Sequence, residues 1–135
     1  MLVEHARSLA GVTDAAHAEY GPGGTPVITL LECSLQDQQI SIDLVPGSLL
    51  AKLYGLMHAS EKTTCSYGLS PKVQHIAGEH GMRIAATDAT GEVRAIERIA
   101  HPFFVATLFQ PQLRSSPSRP HPVFLGLLDA ARAAI

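Results

Sequence analysis

The strongest apolar run in the sequence is Phe103 to Phe109, and it constrains how the C-terminal third of the chain folds. Its aromatic and β-branched content predicts a buried strand. Gln110-Pro111-Gln112 follows it directly, and Arg114 to Pro120 is a loop rich in serine and proline. Pro122 to Ile135 then predicts a C-terminal helix. The residues expected on the apolar side of that helix are Val123, Leu127 and Leu128.

Other stretches also carry strand patterns. Pro26 to Leu31 is short, apolar and β-branched, which predicts a buried strand. Ile40 to Val45 alternates apolar and polar residues, the pattern of a half-buried strand. Met82 to Thr87 and Glu92 to Ile99 flank a turn at Thr90-Gly91, so we expect them to form a hairpin.

The remaining segments give weaker signals. Leu2 to Leu9 predicts a helix that Gly11 ends, and this helix lacks an N-terminal cap, which favours a longer natural protein. We also expect a short helix at Lys72 to Glu79, one polar strand at Glu61 to Leu69 and an irregular segment at Asp14 to Tyr20. Leu49 to Tyr54 is a short apolar segment whose secondary structure the sequence does not decide.

Length and composition indicate one domain over residues 1–135. Hydrophobic residues make up 46% and charged residues 16%, which favours a folded core. The net charge is −2, so we expect neither a nucleic acid nor a membrane as partner. The sequence has no signal-peptide pattern, and we predict a cytoplasmic location with Cys33 and Cys65 as free thiols.

The chemistry-bearing residues do not form a recognisable metal or cofactor motif. His75 and His80 are five positions apart, which does not place both on one face of a helix. The chain has no HExxH sequence, and Gly21 to Gly24 lacks the Gly-Lys-Ser ending of a phosphate-binding loop. We therefore predict no metal and no cofactor.

An ordered series of short segments resembles one known family. The segments are Leu2-Val3-Glu4-His5-Ala6-Arg7, Asp14-Ala15-Ala16-His17-Ala18-Glu19, Pro46-Gly47-Ser48, Glu61 to Tyr67, Asp88 to Glu92, His101-Pro102-Phe103-Phe104-Val105-Ala106, and Arg119-Pro120-His121-Pro122-Val123-Phe124. Together they resemble the class I glutamine amidotransferase domain of CTP synthase. Phe109 to Gln112 and Cys65 to Gly68 look more like degenerate proteins related to the C-terminal region of that synthase.

The resemblance implies an α/β, flavodoxin-like amidotransferase domain whose central sheet is mostly parallel. The chain would supply only the C-terminal portion, with a mixed sheet and an antiparallel hairpin. The N-terminal portion would supply further strands and the nucleophile. An apolar face left open would need a cover, so we expect either a homo-oligomer or the missing N-terminal half as partner.

The resemblance also implies that the catalytic residues have changed. The family uses a cysteine nucleophile, a histidine base and an orienting glutamate. Gln110 stands at the histidine position and Gln112 at the glutamate position. A primary amide cannot act as a general base. By the order of the family, the nucleophile would fall upstream of Met1, and neither Cys33 nor Cys65 stands at its place.

The segment Cys65 to Gly68, which we call the substrate segment, has changed as well. If Tyr67 matches the tyrosine of the family's Arg-Tyr-Glu sequence, Ser66 replaces the glutamine-binding arginine and Gly68 replaces the glutamate. Serine cannot hold a carboxylate in the bidentate manner of arginine. Cys65 could line a repurposed pocket, although a structural thiol is the favoured interpretation.

Two functions remain open from the sequence. The first is a degenerate, non-catalytic amidotransferase domain that binds a small molecule or has a regulatory role. The second is a fragment of a longer CTP synthase-related amidotransferase or hydrolase whose nucleophile lies upstream of Met1.

Overall fold

The computed structural model describes residues 1–31 and 35–135. Cys33, predicted to be a free thiol, lies outside the described residues. The described strands are β1 (Ala15–His17), β2 (Thr25–Leu30), β3 (Gln38–Leu44), β4 (His58–Thr63), β5 (Tyr67–Leu69), β6 (Met82–Asp88), β7 (Val93–Arg98) and β8 (Val105–Thr107). The described α-helices are α1 (Leu2–Ser8), α2 (Leu49–Tyr54) and α3 (Pro122–Ala133), and 3₁₀ helices occupy Ala18–Tyr20, Pro71–Gly78 and Pro111–Arg114.

The larger sheet has five antiparallel strands in the order β4-β3-β6-β7-β8. The predicted hairpin between β6 and β7 is confirmed, and Ile84 pairs with Ile96 within it. Asp88 organises the turn, because its Oδ1 accepts hydrogen bonds from the backbone N–H groups of Thr90 and Glu92. Gly91 allows the turn with φ of 82°.

The smaller sheet is mixed, with β2 parallel to β1 and antiparallel to β5. It overturns two expectations. Glu61 to Leu69 is not one strand: β4 and β5 lie in different sheets, and Ser66 between them accepts a hydrogen bond from the Leu31 N–H. Asp14 to Tyr20 is not irregular, because β2 supplies the pairing that makes Ala15–His17 a strand. Both corrections depend on partners distant in sequence.

The two inner helical segments form for different reasons. Leu49 to Tyr54, whose secondary structure the sequence does not decide, is the helix α2. The Ser48 side chain caps it by accepting a hydrogen bond from the Ala51 N–H. The Glu97 carboxylate accepts from the free N–H groups of Leu49 and Leu50 at the same end. The helix predicted at Lys72 to Glu79 is instead a 3₁₀ segment, Pro71–Gly78, with a non-helical kink at Val73.

The strand predicted over Phe103 to Phe109 is shorter than expected. Only Val105–Thr107 pairs with β7, whereas Phe109 is a core residue with 1% of its surface exposed. The Leu108 N–H still donates to the Arg94 carbonyl of β7, and the Gln110 N–H then donates to the Lys62 carbonyl of β4, so the chain crosses the sheet after Leu108. The apolar character of Phe109 reflects burial in the core rather than strand pairing.

The apolar side predicted for α3 is only partly correct. Val123 packs on the core, but Leu127 and Leu128 are each about half exposed. Gly126 is the buried residue of the helix, and a Cβ there would lie 2.5 Å from a methyl carbon of Leu53. The helix therefore approaches α2 through its glycine and turns its leucines outward.

Two apolar clusters form the core. One joins α1, the smaller sheet and the 3₁₀ segment, with Ala6, Val27 and Ile76 among its buried residues. The other joins β3, α2 and the end of the crossing segment, with Ile42, Leu50 and Phe109. The architecture agrees with the predicted α/β fold with a mixed sheet and hairpin. Within residues 1–31 and 35–135, none of the helices has the length and apolar character needed to cross a membrane.

Candidate functional site

The fold brings the two sequence-predicted site segments together beside the end of β4. The Gln110 N–H donates to the Lys62 carbonyl at 3.0 Å, and the Thr64 N–H donates to the Gln110 side-chain Oε1 at 2.8 Å. The Thr63 hydroxyl donates to the Leu108 carbonyl at 3.0 Å. These three hydrogen bonds join stretches that are about 45 residues apart, and they hold Gln110 against the chain that leads into the substrate segment.

The two glutamines differ in their surroundings. Gln110 uses its carbonyl oxygen as an acceptor, so its amide serves to hold the loop at Thr64. Gln112 lies in the 3₁₀ helix Pro111–Arg114 with an exposed side chain. Within the described part of the chain, no hydrogen bond joins the two side chains. A primary amide does not take up a proton as a base near neutral pH, so this pair cannot withdraw a proton from a nucleophile.

Cys65 is engaged in a tight local turn. Its Sγ donates to the Tyr67 carbonyl at 3.2 Å and accepts from the Tyr67 N–H at 3.4 Å. Its own N–H donates to the Thr63 hydroxyl oxygen. The thiol is free and partly buried. These contacts fit the structural interpretation of Cys65, because the sulfur satisfies backbone groups between β4 and β5.

Gly68 is constrained by packing. It lies in β5 opposite Thr29, and a Cβ at this position would lie 2.4 Å from a methyl carbon of Leu31. The Ser66 carbonyl accepts from the Leu31 N–H at 2.8 Å, so the same neighbour fixes both residues. A larger side chain at the position where the resemblance implies a glutamate would therefore require the Leu31 side chain to shift.

Tyr67 belongs to a row of rings that the sequence did not reveal. The Tyr67 and His17 ring centroids are 5.3 Å apart, and those of His17 and Tyr20 are 5.1 Å apart. His17 and Tyr67 are fifty positions apart, and no spacing signal links them. His17 and Tyr20 line a cavity of about 550 Å³ together with Arg7 and the glycine-rich loop. His17 is therefore the residue that joins this cavity to Tyr67 of the substrate segment.

A second polar centre lies further toward the start of β4, at Glu61. The Tyr54 hydroxyl donates to Glu61 Oε1 at 2.8 Å, and His121 Nε2 lies 3.2 Å from that oxygen and 3.2 Å from the Tyr54 oxygen. The Glu61 and His121 side chains are almost fully buried. Burial raises the pKa of Tyr54, as do the charge and hydrogen bond of Glu61, so the tyrosine stays a proton donor.

Sequence reasoning missed this second centre. Glu61 and His121 contribute to the family resemblance, but sixty positions separate them and no motif joins them. We call these three residues, Tyr54, Glu61 and His121, the His121 cluster. A cavity of about 360 Å³ is lined by the cluster and by Arg114 and Arg119, and we call it the His121 cavity.

His5 is a further buried histidine, outside both centres. Burial lowers the pKa of His5, and the nearby charges of His80 and Arg98 lower it further, whereas hydrogen bonds to the backbone of Ile76 and Glu79 raise it. Its Nε2 has no hydrogen-bond partner among the described residues. His75 is exposed on the 3₁₀ segment. Within residues 1–31 and 35–135, no three His, Cys, Asp or Glu side chains are grouped as a metal ion would require.

Comparison with known proteins identifies the relatives of this arrangement. No family model matches the chain. A CTP synthase of Synechococcus sp. strain CC9311 is 37% identical over 146 residues, covering 97% of this chain and 26% of that protein. A CTP synthase of Bifidobacterium longum is 31% identical over 148 residues, covering 97% of this chain and 27% of that protein.

A solved structure gives the same relation. The glutaminase domain of Trypanosoma brucei CTP synthase, solved with bound acivicin, superimposes with a TM-score of 0.86 and 25% sequence identity. The match covers 98% of this chain and 56% of that domain. The chain spans about a quarter of the length of the curated relatives that it matches. The chain is therefore related to the glutaminase portion of CTP synthase and has the class I glutamine amidotransferase fold.

Proposed function

We propose that this chain is a degenerate glutaminase-type domain that does not hydrolyse glutamine and that acts by binding a small molecule or a protein. The observation that carries the proposal is Gln110, whose amide oxygen accepts from the Thr64 N–H at the position that the resemblance gives to the base. A side chain that cannot titrate and already serves as a loop contact supplies no general base.

The substrate segment supports the same proposal. Ser66 stands where the resemblance implies a glutamine-binding arginine, and Gly68, where it implies a glutamate, packs against the Leu31 side chain. Losing one member of a catalytic triad commonly lowers turnover by a factor of about 10⁴ to 10⁶. Here the base and its orienting carboxylate are both replaced, and neither Cys33 nor Cys65 stands at the nucleophile's place, so we expect no measurable glutamine turnover.

The ring row at Tyr67, His17 and Tyr20 supports a binding role for the retained scaffold. His17 and Tyr20 line the cavity that Arg7 also lines, and the His17 ring centroid lies 5.3 Å from that of Tyr67 in the substrate segment. Aromatic faces and a guanidinium group together suit a flat or anionic small molecule. Screening small molecules for binding to the purified chain would identify the ligand.

The competing proposal is that the chain is part of a longer CTP synthase-related amidotransferase or hydrolase. The coverage of the structural match favours it, because this chain matches 56% of the solved glutaminase domain. The intact mass of the protein isolated from its native cell separates the two. A mass near 14.4 kDa supports the short binding domain, and a clearly larger mass supports the longer enzyme.

Ammonia release from L-glutamine tests the absence of catalysis. The purified chain is expected to release ammonia no faster than the buffer blank, while the Synechococcus CTP synthase serves as the active control. The double variant Gln110→His and Gln112→Glu is also expected to stay inactive, because it restores a base without a nucleophile. Glutamine turnover by the unmodified chain that Cys65→Ser abolishes would contradict the proposal.

A further inference from the structure

The C-terminal helix α3 carries an apolar face that is exposed to solvent. Gly126 faces α2, because a Cβ there would meet the Leu53 side chain. Leu128 follows Gly126 by two residues, which at about 100° per residue places it on the opposite side of the helix. Leu127 and Leu128 are 50% and 54% exposed, and Ala131 is exposed as well. These three side chains, which we call the α3 face, adjoin each other because residues three and four apart are neighbours on a helix.

A second copy of this chain fits the α3 face when the two helices run antiparallel. With Ala131 on the two-fold axis, each residue before it faces the residue equally far after it on the second copy. Leu128 then lies opposite Ala134 of the second copy, so large side chains at one end of the pair meet small ones at the other. The small side chain of Ala131 on the axis lets the two helices approach closely. Leucines that are half exposed in the monomer would thereby be buried.

The charges beside the α3 face are self-complementary in the same register. Asp129 and Arg132 have exposed side chains and form a loose ion pair at 3.9 Å within one copy. They stand two residues before and one residue after Ala131. The two-fold axis therefore brings Asp129 of each copy beside Arg132 of the other, so that one contact becomes two. Packing and charge thus select one arrangement, and the charge complementarity favours a second copy as the occupant.

We propose that the α3 face is the interface of a symmetric homodimer, in which two α3 helices pair antiparallel around Ala131. One helix face is smaller than the roughly 800 Å² per partner of a standard stable interface. We therefore expect a reversible dimer with a Kd of about 10–100 µM. The proposal does not rest on the proposed function, because it uses neither Gln110 nor the substrate segment.

Sedimentation equilibrium of the complete 135-residue chain tests the dimer. The average mass should rise from near 14.4 kDa at about 1 µM toward twice that value at about 500 µM. Leu128→Glu places a charge in the α3 face and should keep the chain monomeric over this range. Leu9→Glu, at an exposed leucine that ends α1, is the matched control and should associate like the unchanged chain.

Two results of this measurement overturn the proposal. The first is a mass that stays near 14.4 kDa at every concentration, which would leave the α3 face to a different partner. The second is a dimer that Leu128→Glu does not weaken, which would place the interface elsewhere on the molecule.

Charge reversal tests the antiparallel register separately. Asp129→Arg sets positive charges against Arg132 of the second copy, and Arg132→Asp sets negative charges against Asp129, so each variant should raise its homodimer Kd about tenfold. Mixed in equal amounts, the two variants should form a heterodimer more readily than either forms a homodimer, because each substituted position then faces the opposite charge. Sedimentation velocity with one variant fluorescently labelled measures this. A mixture that associates no better than either variant alone contradicts the proposed register.

Discussion

The Gln110 segment and the His121 cluster contact β4 a few residues apart and differ in the chemistry of their side chains. Glu61 on β4 belongs to a buried group of ionisable side chains, whereas Thr64, three residues later, contacts the uncharged amide of Gln110. The Gln110 segment is held by hydrogen bonds to neutral groups, and the His121 cluster is held by bonds to a carboxylate. Neutral and ionisable side chains thus lie three residues apart along the chain, in separate hydrogen-bond networks.

The largest expected difference between the two regions is in stability. His121→Ala removes the cap of α3 and a donor to the buried Glu61, so we expect a loss of about 2–4 kcal/mol in the free energy of unfolding. Gln110→Ala removes one exposed acceptor and should cost about 0.5–1.5 kcal/mol. Urea unfolding of both variants measures the difference. Equal losses would contradict the distinction between the regions.

Packing around the substrate segment gives the next effect. Gly68→Ala places a Cβ against Leu31, so we expect a loss of about 1–3 kcal/mol through overpacking. Gly78→Ala is the matched control, because a Cβ at that position would meet no atom within 4 Å beyond its chain neighbours. Thermal and urea unfolding compare the two. A stable Gly68→Ala variant would mean that the segment can accept the larger side chains of its relatives.

The pH dependence of stability should come from outside the Gln110 segment. His5 has a folded-state pKa below its unfolded value of 6.5, because burial disfavours its charged form. The unfolded chain then binds more protons, so the free energy of unfolding falls as the pH drops below about 6.5. His5→Leu should flatten this part of the urea midpoint profile, and Gln110→Ala should not alter its shape. An unchanged profile in His5→Leu would disprove the assignment.

Cys65 should give the smallest effect. Cys65→Ser keeps a hydroxyl that can bond the Tyr67 backbone groups, so we expect a loss of no more than about 1 kcal/mol. Urea unfolding under reducing conditions measures it. A much larger loss would assign the thiol a packing role that its hydrogen bonds do not explain.

The sequence was sufficient where the controlling contacts are local. The β6–β7 hairpin could be predicted because its two strand segments and the turn at Thr90-Gly91 lie within one short stretch. The sequence did not decide the secondary structure of α2, because one of the two groups that cap it, the Glu97 carboxylate, comes from a distant strand. The break between β4 and β5 was missed for a similar reason, since Leu31 fixes Ser66 from another part of the chain.

In the candidate site, too, the sequence was sufficient for local features and insufficient for contacts between distant segments. Gln110 and the substrate segment could be selected from the resemblance, but their approach through Thr64 needed the crossing of the sheet after β8. The His121 cluster could not be predicted, because Tyr54, Glu61 and His121 come from three separate elements. The ring row from Tyr67 to Tyr20 likewise depends on the pairing of the smaller sheet.

The most direct test of the central claim is a titration of the ¹⁵N-labelled chain with L-glutamine, observed at the substrate segment. If the glutamine site is lost, the amide signals of Cys65, Ser66, Tyr67 and Gln110 will show no saturable shift. Saturable shifts at those four amides would mean that the segment still binds glutamine, and they would contradict the account.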